Sequence, residues 1–152
     1  MSVTIKNLES ALAGESQAHI KYLYFAELAD EQGYSDVADH FRHTAQQELL
    51  HAWGHLELLI GRPSVVECLN KAIEGETYEY TSMYPEFAQI AKAEGDLATV
   101  AEFEAQTKES YEHAQAFTEL IKLAQKRFSA LSKVEQRHAA AYKQILEGVQ
   151  HA

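Results

Sequence analysis

A chain of 152 residues with 46% apolar content is one domain's worth of sequence with enough apolar material for a real core, which excludes collagen-like, disordered and membrane-embedded classes. Its 23 acidic residues against 13 basic ones give a formal charge of -10, which repels a phosphate backbone and excludes nucleic acid and anionic membrane surfaces as partners. Cys68 stands alone, so neither an internal disulfide nor a Cys-x-x-Cys metal knuckle can form, and the stretch from Met1 to Ser10 has no apolar core of a secretory leader; the expectation is a soluble protein of the cytoplasm.

Only seven Gly and two Pro punctuate a chain dominated by good helix formers, so the fold class is all-α. The breakers fall at Gly33, at Gly61-Arg62-Pro63 and at Gly95-Asp96. Between them apolar residues recur at spacings of three and four, which predicts helices over 3–32, 35–60 and 67–94, with the remainder following from 97. The first helix carries the stripe Ile5, Leu8, Leu12, Glu15, His19, Tyr22, Ala26 and Ala29; the second carries Val37, Phe41, Thr44, Glu48, His51, His55 and Leu58. Pro85 falls inside the third pattern and is expected to bend the helix rather than stop it.

After Gly95 neither Gly nor Pro occurs until Gly148. Shifting this segment on itself by 25 residues aligns Phe103, Ala105, Lys108, His113, Ala114 and Ala116 with Phe128, Ala130, Lys133, His138, Ala139 and Ala141. The pattern reads as a tandem helix duplication, predicting helices over 97–124 and 127–147 within a single domain spanning 1–152. A shift of 25 residues is close to seven helical turns, so both copies present the same face if the helix continues, about 37 Å apart.

Ionisable residues sit in the middle of these seams. Glu15, Glu48 with His51, Glu76 with Glu79, and Glu135 with His138 all fall on or beside predicted inner faces, whereas Glu9, Glu31, Glu102 and Glu119 read as solvated. Residues three apart are neighbours on a helix, so Glu48 and His51, and likewise Glu135 and His138, each aim a carboxylate and an imidazole at one point. Five ionised carboxylates cannot share an interior unless they are protonated or bound to cations, and few basic residues lie on the inner seams. Two divalent metal ions would offset them, and oxygen ligands with two imidazoles and no thiolate suit iron or manganese better than structural zinc. Dimetal carboxylate bundles use one Glu from each of two helices and a Glu-x-x-His from each of the other two, which this chain can supply. His19 and His55 read as supporting histidines rather than ligands.

The stretches Gly14-Glu15-Ser16-Gln17-Ala18, Gln47-Glu48-Leu49-Leu50-His51-Ala52 and Gly75-Glu76-Thr77-Tyr78-Glu79-Tyr80-Thr81-Ser82-Met83-Tyr84-Pro85 resemble the three signature stretches of rubrerythrins, over about residues 3–96. The resemblance implies a ferritin-like four-helix bundle, here with an additional C-terminal helix, holding two iron ions that reduce hydrogen peroxide to water. It implies that Glu15, Glu48, His51, Glu76 and Glu79 are metal ligands, that Glu79 changes its metal contact with redox state, and that Tyr22 and Tyr84 stand beside the site. Ordinary members carry a four-cysteine rubredoxin domain, so this chain resembles the shorter erythrin type and implies an external electron donor such as rubredoxin.

One departure concerns the last ligand pair. Counting on from Pro85 without a gap, the family's final Glu-x-x-His lands on Ser110-Tyr111-Glu112-His113, where serine replaces the carboxylate; the intact pair is Glu135 and His138. Three outcomes stay open: Glu109 or Glu112 substitutes beside His113, the second copy reaches the site through an altered connection, or it completes a bundle in a partner chain. Glu135 and His138 are the preferred pair, and a homodimer exchanging helices is the simplest way to place them. The competing functions are ferrous-iron oxidation as in ferritins and a non-enzymatic helical module that builds an oligomer.

Overall fold

The structure is a computed structural model that describes residues 2–150. It contains α1 (Val3–Glu31), α2 (Ser35–Ile60), α3 (Val65–Tyr78), a π-helical turn (Glu79–Met83), α4 (Tyr84–Glu94) and α5 (Leu97–Gln150), with no strand among the described residues. None of these helices is long and apolar enough to cross a membrane. The chain packs as two compact units divided between Pro63 and Ser64, where one domain over 1–152 was expected. Met1, His151 and Ala152 lie outside the described residues.

The first unit is the hairpin of α1 and α2. Ser2 opens α1 by accepting a 3.2 Å hydrogen bond from the Ile5 amide, satisfying one of the donors a helix start leaves bare. Gly33, at φ 84°, makes the turn into α2 in a region that other residues enter only at a cost. Every residue of the α1 stripe is half-buried or buried, as its spacing predicts. On α2 the inner face is displaced from the expected one: Ala38, Ala45 and Ala52 are buried, while Val37, His51 and Leu58 are exposed. The buried residues of the hairpin are all alanines, including Ala26 and Ala29 of α1. Small side chains let two helix backbones approach closely, and that contact takes precedence over the larger neighbouring residues. Tyr22, Phe25 and Phe41 close the turn end, with the Tyr22 and Phe41 rings 5.9 Å apart. Ile20, Tyr24, Leu50 and Trp53 remain between 57% and 64% exposed.

The second unit runs α3, the π turn and α4 against the first half of α5. Ser64 and Glu67 form a reciprocal capping box at the start of α3, with the Ser64 amide donating to Glu67 Oε2 at 2.7 Å. Pro85 sits in the first turn of α4, and the helical path continues through it as expected. The π turn supplies the means: the Tyr84 amide donates to the Glu79 carbonyl five residues back, so the register is already loosened where Pro85 has no N–H to give. Gly95, at φ 82°, ends α4 in the left-handed conformation. Asp96 then caps α5, accepting from the Thr99 amide at 3.1 Å and from its hydroxyl at 2.7 Å.

The largest correction concerns α5. The two helices expected over 97–124 and 127–147 are one uninterrupted helix of 54 residues, because nothing between Leu97 and Glu147 costs enough to break it. Its first half is packed through Phe103, Gln106, Thr107, Ser110 and Ala114, whereas every residue from Gln125 to Glu147 is exposed.

Candidate metal centre

In the first unit, Glu15 comes from the middle of α1 and Glu48 and His51 from successive turns of α2. His51 Nδ1 lies 3.1 Å from Glu48 Oε2 and 4.0 Å from Glu15 Oε2. One ligand atom from each of the three residues lies within 4.8 Å of the others, close enough for a single ion to touch all three. Glu15 and Glu48 share a hydrogen bond, which with burial and the Glu48 charge raises the Glu15 carboxyl above its ordinary value; His51 and His55 oppose the rise. Two carboxylates held this close prefer either a shared proton or a cation between them. His19 takes no part: its Nδ1 is 2.7 Å from the Ala45 carbonyl, a bond that ties α1 to the backbone of α2.

The second unit gathers another set. His113 Nδ1 lies 3.4 Å from Glu76 Oε2, and the Ser110 hydroxyl donates to Glu79 Oε2 at 2.9 Å. Glu76 and Glu79 are three residues apart where α3 passes into the π turn, and Ser110 and His113 are three apart on α5, so each pair faces the other across one helix contact. Tyr84 stands beside this set: burial raises its hydroxyl above its ordinary value, and the nearby Glu79, Glu76 and Glu102 carboxylates raise it further. Its ring packs 5.9 Å from Phe103. Tyr22, expected in a matching place, is held by its ring contacts with Phe25 and Phe41.

Glu135 and His138 are not brought to this set. They lie on the exposed half of α5, with His138 25 residues beyond His113, which along a continuous helix is about 37 Å. Glu109 and Glu112 are exposed too, and Glu112 lies 3.8 Å from Lys108 on the outer face. The residue that meets Glu79 is Ser110, at the position where serine replaces the carboxylate that the resemblance implies. The unbroken run of helix formers after Gly95, and the ungapped count from Pro85, were the signals that already pointed to Ser110 and His113.

The donor set fits divalent metal ions that favour oxygen and imidazole. Each set brings two carboxyl groups and one imidazole, and no thiolate is present at either. Among the described residues the protein is helical without strands, and Glu15, Glu48 and His51 form a group that could hold a metal ion. A family model described as Rubrerythrin matches residues 6–121. Rubrerythrin of Porphyromonas gingivalis is 38% identical over 133 residues, covering 79% of this chain and 66% of that protein. Nigerythrin of Nitratidesulfovibrio vulgaris is 38% identical over 114 residues, covering 66% of this chain and 56% of its own length. Rubrerythrin of the same organism is 40% identical over 107 residues, with coverages of 62% and 56%. The chain belongs to the rubrerythrin family, and its fold class is the ferritin-like one expected from the sequence. It spans between 56% and 66% of the length of these three relatives.

Proposed function

We propose that this protein is a non-haem di-iron oxidoreductase that reduces hydrogen peroxide to water with electrons from an external donor of rubredoxin type. The carrying observation is the pair of ligand sets, Glu15, Glu48 and His51 in one unit and Glu76, Glu79 and His113 in the other, in a chain of this family. In each set two carboxylates balance one divalent ion, with manganese the alternative to iron. Bound iron would supply the electrons that cleavage of the peroxide oxygen–oxygen bond takes up.

The protein's own residues supply charge, geometry and protons. With metal bound, Glu15 and Glu48 would serve as carboxylate ligands and His51 and His113 as imidazole donors. Burial and three carboxylates keep the Tyr84 hydroxyl protonated, so it holds a proton at the phenolic oxygen for hydrogen bonding beside the site. Tyr22 we assign to packing. With Cys68 as the single cysteine, these residues contain no four-thiolate electron carrier, so reducing equivalents come from outside them. Large apolar residues left uncovered on the first hairpin, Trp53 at 62% and Leu50 at 63% exposure, support a homodimer.

Metal analysis followed by stopped-flow oxidation of the ferrous protein tests the reading. Two ions per chain and faster oxidation by peroxide than by dioxygen are expected. Faster reaction with dioxygen and accumulation of ferric mineral would assign the protein to iron handling; absence of stoichiometric metal would leave a helical oligomerisation module.

A further inference from the structure

Ser110 is the one buried polar side chain among the described residues, at 4% exposure, and it lies on the face of α5 that meets the π turn. A serine inside a helix ordinarily turns its hydroxyl to solvent or back to the carbonyl four residues earlier, as Thr107 and Thr118 do at 2.7 and 2.8 Å. Ser110 instead donates across the helix contact to Glu79 Oε2 at 2.9 Å. Its acceptor is the first residue of the π turn. One turn further along α5, His113 faces Glu76. The α5 wall of the cluster thus presents one imidazole and one hydroxyl, with no carboxylate.

Resting on the metal-binding reading above, we propose that Ser110 is a positioning residue that holds one oxygen of Glu79 and leaves its other oxygen to the metal. A buried hydroxyl donor holds the orientation of the carboxylate that accepts from it. Hydrogen bonds of this kind to a ligating carboxylate alter metal affinity by about 10- to 100-fold when removed.

The test uses the full chain freed of metal and titrated with cobalt(II), whose visible absorption reports ligand arrangement. Unaltered protein, Ser110→Ala, Ser110→Thr, Glu79→Gln and the double variant Ser110→Ala/Glu79→Gln are compared, with circular dichroism confirming that each is helical. Ser110→Ala is expected to weaken cobalt binding about tenfold or more and to change the absorption bands, while Ser110→Thr, which retains the hydroxyl, restores both. In the Glu79→Gln background the Ser110→Ala effect should vanish, because the partner is already lost. Unaltered affinity and spectrum in Ser110→Ala, or an equally large effect without Glu79, overturns the positioning role while leaving the metal centre standing. Failure of the unaltered chain to bind cobalt overturns the metal reading and this proposal with it.

Discussion

Replacing His113 and His138 separately by alanine distinguishes the two copies of the duplicated segment. His113 is 3.4 Å from Glu76 Oε2, whereas His138 lies 25 residues further along an unbroken α5 among exposed residues. At about 1.5 Å per residue that separation is about 37 Å, against a metal–imidazole bond of about 2.1 Å. If His113 is a metal ligand, its removal should weaken binding at least tenfold, about 1.4 kcal/mol. Removing an exposed imidazole should leave affinity unchanged and stability within about 0.5 kcal/mol. Isothermal titration of metal-free protein with cobalt(II) reads the affinity, and a thermal melt reads the fold. Loss of metal from His138→Ala or Glu135→Ala with His113→Ala unaffected would refute the assignment, and would mean that the far half of α5 serves a second chain.

Three further outcomes follow from the packing and the charges. Ala45→Leu forces a larger side chain into a position with 0% exposure between α1 and α2, beside the carbonyl that His19 bonds; a loss of about 1–3 kcal/mol is expected in urea unfolding, and an unchanged midpoint would contradict the close alanine contact. Ser64→Ala removes the capping box of α3 and should cost about 1 kcal/mol, measured as a lower Tm; no change would mean that Glu67 alone holds the helix start. Glu15 is raised in the fold, so its contribution to the stability of the metal-free chain is full below its ordinary value and is lost as pH rises through the folded value. Metal binding displaces that proton, so affinity should rise with pH across the same window. Glu48→Gln removes the neighbouring charge and should flatten the stability trend; an identical pH dependence in that variant would remove Glu48 as its cause.

Much of the candidate site was legible before any coordinates. The α1 stripe reads correctly because its alternation is regular over many turns, and Glu15 at its centre is where the structure places a carboxylate facing two residues of α2. Glu48 and His51 were paired by spacing alone, since three residues along a helix brings side chains together whatever surrounds them. The exposed positions of Glu9, Glu31, Glu102 and Glu119 follow from the same periodicity. On α2, however, periodicity cannot choose between adjacent faces, and hydrophobicity favoured Val37 and Leu58 over the alanines that permit close approach.

The chemistry of the site was set by composition and local spacing: helix formers without breakers, carboxylates and imidazoles three residues apart, and too few basic residues to neutralise them. Those are short-range properties, and a one-dimensional pattern records them directly. Which copy of a repeated segment meets Glu76, whether Glu79 faces a carboxylate or a hydroxyl, and which tyrosine stands beside the acids depend on how far α5 runs straight and which turns it shares with α3 and α4. Two copies with the same face are indistinguishable in sequence, and only the packing of one of them against another helix separates Ser110 and His113 from Glu135 and His138.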